Sequence, residues 1–290
     1  MKYTPKEIPE EINVTPVHPL VNFAHLLATV AIATVAIYAG LGFVAVGLVS
    51  HLSPETEQKI GQVLLPAAAP PPLILEDDRT QYLEQLLISL QPSTLQFRPP
   101  LTIHLVDEPA VNAAILPGGH VLIMTGLLEA VESENELAFV LAHELGHFEA
   151  RDPLRAMGRS LVFLALASAL GLGSSSSNGS SALITLTGNL NELHYSRKQE
   201  SAADQYALSL IVQKYQHGGH SLDFFKRLQE QETALGFPVH QPELLSTHPL
   251  TQNRIDNLTQ LARQQGWSLE GEATPLPEGL ACPNFEECDF

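Results

Sequence analysis

The sequence predicts an α+β fold that is mainly helical, with a small β-sheet mid-chain and one long apolar helix near the start. Three observations lead there. Leu20 to Val49 carries no formal charge and is interrupted only by Asn22, His25, Thr29, Thr34 and Tyr38. Thr102–Val106, Val111–Leu116 and His120–Thr125 read as three strands, the last two joined by a Pro117-Gly118-Gly119 turn. Elsewhere apolar residues recur at helical spacing between capping and stop residues.

Taken in order, residues 1–19 are polar and Pro-rich (Pro5, Pro9, Pro16, Pro19) and are expected to be disordered. Residues 20–50 are expected to form a transmembrane anchor. Thirty helical residues span about 45 Å, against a hydrocarbon core of about 30 Å. The apolar run is too long for an ordinary cleaved signal peptide. Lys2 and Lys6 precede it and only Lys59 follows closely, so the positive-inside rule places the N-terminus in the cytoplasm and the rest of the chain outside it.

Residues 51–72 are expected to hold a short helix and a stiff linker. Ser53-Pro54-Glu55 is a helix start, the helix should run to about Leu65, and Pro66 to Pro72 reads as extended. Asp77 or Asp78 caps a helix with Leu83, Leu86, Leu87 and Leu90 on its apolar side. The three strands follow. The free edge of such a hairpin, at Asn112 and Ala113, can pair with an extended peptide.

Ser133 and Glu136 have capping-box spacing and open a helix through Leu137, Phe139, Val140, Leu141, Ala142 and Leu145, which Arg151-Asp152-Pro153 ends. After it, Leu161–Leu172 and Ala182–Leu190 are apolar and flank a Ser-rich segment, 171–181. They read as two helices joined by a loop, either a lid or membrane-contacting element or a plain core pair. Ser196 to Asp204 opens another helix. Ser221 caps one with Leu222, Phe224, Phe225 and Leu228. Thr247 or His248 starts one through Ile255, Leu258 and Leu261. A folded domain is therefore expected over 73–266, with an acidic, Pro-rich tail over 267–290.

Composition narrows the partners. The net charge of −17 argues against nucleic acid. Two cysteines, Cys282 and Cys288, are too few for a disulfide scaffold or a Cys-ligated zinc ribbon; they either pair with each other or stay free.

The chemistry gathers at His143-Glu144-Leu145-Gly146-His147. Residues four apart share a helix face, so His143 and His147 can aim two imidazoles at one metal ion, with Glu144 beside them as a general base. Two histidines inside so apolar a helix would be costly without a partner. A catalytic zinc takes three protein ligands and leaves a position open for water. Glu200 supplies the third, and Asp204, four residues on, is placed to accept the second ring N–H of a liganding histidine. The expected cofactor is one Zn2+ per chain.

H-E-x-x-H followed by E-x-x-x-D resembles the HtpX-like zinc metallopeptidases, a family that includes the CAAX prenyl endopeptidases, the mitochondrial inner-membrane stress protease and the BepA-type periplasmic proteases. Asn112-Ala113, Pro117-Gly118-Gly119-His120, Thr125-Gly126-Leu127, Ser196-Arg197 and Thr247-His248-Pro249 with Arg254 are similar to the family's flanking elements. The resemblance covers about Leu101 to Leu261 and implies a gluzincin fold and endopeptidase activity. The chain departs from the multi-span branches in having one convincing span. With about thirty residues after Leu261, no tetratricopeptide array is expected there.

The expected function is a membrane-anchored endopeptidase acting on unfolded or membrane-associated proteins, with Glu144 assisting attack of a zinc-bound water. His248 has three readings: donor to the oxyanion, a fourth zinc ligand that holds the enzyme off, or a packing residue at a helix start. Two other functions stay open, a latent or non-proteolytic zinc-gated assembly factor and a small-substrate esterase or amidase. Oligomeric state is not legible.

Overall fold

The computed structural model describes residues 18–68, 73–74, 78–92, 95, 98–158, 195–235, 244, 247–248 and 252–281. The N-terminal residues 1–17, most of the Pro-rich linker, the apolar runs around the Ser-rich segment, and Cys282 and Cys288 lie outside the described residues.

The chain divides into two units, Met1–Val44 and Ala45–Phe290. The described part of the first is helix α1, Pro19–Ser50, which continues into the second. Leu20, Phe23, Leu26, Leu27, Ile32, Val35 and Phe43 stand exposed along it. By length and composition, α1 can cross a membrane.

The second unit is built on a four-stranded sheet of β1 (Leu73–Ile74), β2 (Thr102–Val106), β3 (Ala113–Leu116) and β4 (His120–Met124), in the order β1-β2-β4-β3. The expected hairpin forms: β3 and β4 are antiparallel, with Ala113 opposite Ile123 and Leu116 opposite His120. The turn at Pro117–Gly119 needs its glycines, since Gly118 and Gly119 have φ of 85° and 84°. β2 pairs with β4 in parallel, Thr102 opposite His120, which leaves β3 at the edge.

Strand alternation feeds both faces of the sheet. Ile103, Leu105, Ala113, Ile115, Val121 and Ile123 join the main core with helices α3 (Asp78–Leu90), α4 (Thr125–Ala130), α5 (Glu134–Glu149) and α6 (Arg197–Tyr215). Val106, Leu116, Leu122 and Met124 face the other way and are covered by Leu64 and Ala68 of α2 (Pro54–Ala68). α2 runs past Leu65 through Pro66. Burial of Ala68 in that last turn offsets the hydrogen bond Pro66 cannot make. The segment expected to end in a linker thus supplies one layer of the domain, because the second face of the sheet is apolar and needs cover.

Helix α5 is buried along nearly its whole length, from Asn135 to Phe148. Ser133 Oγ accepts from the Glu136 N–H, but Glu136 reaches back to the Glu132 N–H and pairs with Arg227, so only half of the expected capping box forms. α6 has the complete box, between Ser196 and Gln199. Helix α7 (Asp223–Leu235) buries Phe224 and Phe225, and Ser221 Oγ makes no hydrogen bond, so it is not the cap. Helix α8 (Gln252–Gln265) begins four residues after His248. Beyond it, residues 267–281 lie against the core rather than trailing as a tail. Leu280 is buried, the Thr274 carbonyl accepts from the Glu134 N–H at the start of α5, and the Thr274 N–H donates to Asn135 Oδ1. A helix start with free N–H groups in an apolar setting needs such partners.

Candidate metal centre

α5 and α6 cross closely because Gly146 lies between the two histidines. A Cβ there would sit 2.9 Å from Ala203 Cα. The close approach puts Glu200 opposite His143 and His147. The Nε2 atoms of the two histidines are 3.1 Å apart, and each is 3.5 Å from a Glu200 oxygen. All three side chains are buried.

Their other ring nitrogens face carboxylates. His147 Nδ1 is hydrogen-bonded to Asp152 Oδ2 at 3.0 Å, and His143 Nδ1 lies 3.1 Å from Asp204 Oδ1, its anticipated partner, as an ion-pair contact without hydrogen-bond alignment. When Nδ1–H donates to a carboxylate, the neutral ring points an Nε2 lone pair the other way. Two lone pairs and a carboxylate then converge on one point, an arrangement that suits a cation. The field of the site favours positive charge. Burial opposes charge on His143, yet the Asp204 and Glu200 carboxylates outweigh it and raise its pKa to about 9, so an ion binding there displaces a proton. His147 is raised in the same way by Asp152 and Glu200. Burial pushes Glu200 and Asp204 up, but three histidines hold Glu200 well below the usual carboxylate range, and Arg254 and His143 lower Asp204.

His248 joins this group. Its Nδ1 is 3.0 Å from Glu200 Oε1 and 3.3 Å from His143 Nε2. Ligand atoms from His143, His147, Glu200 and His248 all lie within 4.8 Å of one another, so the cluster offers four groups, one more than the three expected as ligands. Burial lowers the His248 pKa, against the pull of Glu144 and Glu200, and favours the neutral ring that a metal needs.

Glu144 lies at the rim of the cluster, with Oε1 3.5 Å from His248 Nε2. Its Oε2 accepts from the Ile115 N–H on β3 at 3.1 Å, and its buried Oε1 makes no hydrogen bond. On β3, the Asn112 carbonyl accepts from the Met124 N–H, so Asn112 faces β4 and Ala113 faces the outer edge. The two residues expected at the edge therefore divide: Ala113 turns its backbone outward and Asn112 does not.

Three further residues complete the centre. Asp152, read from sequence only as a helix stop, orients His147 and also accepts from Gln199 Nε2 at 2.7 Å. Arg254, seen only as part of a resemblance, forks onto Asp204 at 2.7 and 2.6 Å and lies 2.9 Å from Glu200 Oε2. Tyr195 stacks on His147 with ring centroids 4.1 Å apart. The spacing of Asp152, five residues after His147 on the far side of a helix end, was its one available signal.

Comparison with known proteins agrees with this geometry. The chain is 29% identical over 201 residues to the putative beta-barrel assembly-enhancing protease of Vibrio cholerae, covering 67% of this chain and 41% of that protein. It is 34% identical over 189 residues to the mitochondrial metalloendopeptidase OMA1 of Bos taurus, covering 62% and 34%. With human OMA1 it shares 32% over 195 residues, covering 64% and 36%. The chain spans less than half the length of these curated relatives. Residues 77–262 match the profile of peptidase family M48, a stretch that holds more than half of the chain and every residue of the buried cluster, and the chain belongs to that family.

Proposed function

We propose that the protein is a zinc-dependent endopeptidase, anchored in a membrane by one span over residues 20–50, that cleaves unfolded or membrane-associated polypeptides. The observation that carries this is the convergence of His143 Nε2, His147 Nε2 and Glu200 beside a carboxylate, Glu144, that is hydrogen-bonded to an edge strand. The names of the relatives, an assembly-enhancing protease and a metalloendopeptidase, support a peptide substrate. The lysines before α1 support a cytoplasmic N-terminus and a catalytic domain on the other side.

In this reading His143, His147 and Glu200 hold the ion, while Asp204 and Asp152 fix the ring orientations. Zinc, when bound, supplies Lewis acidity that brings the pKa of water towards ~7 and polarises the scissile carbonyl. Glu144 takes the water proton on Oε1 and passes it to the leaving amine, with Oε2 held by Ile115. The outward backbone of Ala113 pairs with the substrate and lays it across the cluster. Arg254 balances the negative charge of Asp204 and Glu200.

A second reading is favoured by His248, whose Nδ1 is as close to His143 as a co-ligand would be. As a fourth ligand it would occupy the position that water needs and make the enzyme latent, or a zinc-gated assembly factor with no proteolytic role. Purified full-length protein in detergent, tested on an unfolded protein and on small esters and amides, separates the readings. Cleavage of the polypeptide alone supports the endopeptidase, and turnover of the small substrates alone contradicts it. In a gated enzyme, His248→Ala cleaves faster and binds zinc more weakly; where His248 donates to the oxyanion, the same variant cleaves more slowly and binds zinc unchanged.

A further inference from the structure

The centre is tied to the end of the apolar helix through one residue. Arg151 immediately follows the C-cap of α5. Its guanidinium donates to the Val49 carbonyl at 2.6 Å, which also accepts from the Leu52 N–H, and to the Leu52 carbonyl at 3.1 Å, just beyond the end of α1. Its Nε lies 3.4 Å from Glu57 Oε2 on α2. Glu57 is 1% exposed, and Arg98 approaches the same oxygen at 3.8 Å. Arg98 in turn donates to the carbonyl of Glu149, the last residue of α5.

The backbone of Arg151 is unusual too. Its φ is 54°, a left-handed conformation that a non-glycine residue keeps only where its surroundings over-determine it. The Arg151 N–H donates to the Phe148 carbonyl and its own carbonyl accepts from the Arg155 N–H, so the residue is the pivot between α5 and the helical turn over 152–158. The next residue, Asp152, emerges from that pivot aimed at His147 Nδ1. A rotation at 151 moves Asp152.

We propose that Arg151 is a positioning residue: by gripping the Val49 and Leu52 carbonyls and Glu57, it fixes the chain at the pivot and so holds the Asp152 carboxylate on His147, making the end of the apolar helix part of the metal site. The proposal rests on the metallopeptidase reading of the cluster. It gives the anchor a role beyond attachment. The last turn of α1 and the start of α2 brace the zinc helix, and a change in that junction reaches the metal ligand within two residues.

The test uses the full-length chain in detergent, loaded with Co2+ for its visible spectrum and with Zn2+ for affinity by chelator competition. Arg151→Gln is expected to change the cobalt spectrum, to weaken zinc binding about tenfold, and to lower kcat with KM little changed. Arg151→Lys, which keeps the charge and loses the fork, should fall between Arg151→Gln and wild type. Glu57→Gln, which leaves both carbonyl contacts in place, should have the mildest effect. If Arg151→Gln does not fold, the Arg151→Lys spectrum and affinity carry the decision. Loss of thermal stability with a wild-type cobalt spectrum and zinc affinity in the variant measured would mean a structural role only and overturn the proposal. A wild-type chain that bound no cobalt would instead sink the metallopeptidase reading, and the proposal with it.

Discussion

The Ile115 N–H donates to Glu144 Oε2 at 3.1 Å, so the edge strand and the proposed general base share a hydrogen bond. The bond holds one carboxylate oxygen and leaves the other, Oε1, without a hydrogen-bond partner beside the cluster. Glu144→Gln keeps the shape and an acceptor for Ile115 but cannot take a proton. It should bind metal like wild type and lose cleavage by about 10²–10⁴-fold, the usual size of general-base contributions. Metal content and kcat measured on the same preparation check this; a variant that cleaves normally would remove Glu144 from the mechanism.

Asp152 and Asp204 hold the outer nitrogens of His147 and His143. Asp152→Asn and Asp204→Asn should each weaken zinc binding by about 10–100-fold, since such outer partners set ring orientation and ligand basicity. Chelator competition reads this directly. Arg254→Gln should act in the same direction, because it releases the fork that fixes Asp204 and the contact that holds Glu200.

Much of this was legible in the sequence. Helical periodicity gives the two pairs, His143 with His147 and Glu200 with Asp204, the need for a third ligand joins them, and the hairpin follows from two alternating runs around a Gly-Gly turn. What was not legible depends on contacts between distant parts of the chain. Asp152 is local in sequence but turns back to His147 just after Arg151, whose φ is 54°. Arg254, named in the sequence only as part of a resemblance, reaches the centre because α8 packs beside α6. α2 was expected as a short helix outside the domain because its few apolar residues, Leu64 and Ala68 among them, meet a sheet face whose need for cover appears only after folding.

Gly146 shows the same limit at one position. Between two histidines it reads as a weak helix residue, yet it is the point where α6 touches α5. Gly146→Ala should destabilise the protein by about 1–3 kcal/mol, because the added methyl overlaps Ala203 and forces the helices apart. A drop in thermal midpoint with weakened metal binding is expected. Unchanged stability would show that the crossing is looser than 2.9 Å implies.

His104 and His120 sit 3.0 Å apart on the α2 side of the sheet. Burial, with a smaller contribution from His120, lowers the His104 pKa to about 4. The unfolded chain takes up that proton near pH ~6.5 and the folded chain does not, so stability is present above ~6.5 and is lost as pH falls towards about 4. His104→Gln removes the group. Thermal midpoints of wild type and variant at pH 7 and pH 5 should show a smaller acid loss in the variant; parallel losses would contradict the assignment.

Because α2 buries Leu64 against the sheet and Glu57 beside Arg151, a fragment beginning at Leu73 should be markedly less stable than one beginning at Leu52. Limited proteolysis and thermal unfolding of the two fragments compare them. Equal stability would mean that the α2 layer contributes little.

The most direct test of the central claim is a zinc titration of the chelated, full-length protein, followed by cleavage of an unfolded polypeptide. Activity should return as one ion binds per chain, Glu144→Gln should bind the same single ion without cleaving, and His143→Ala should fail to bind it. Full metal occupancy in His143→Ala, or cleavage that persists in the chelated protein, would contradict the claim.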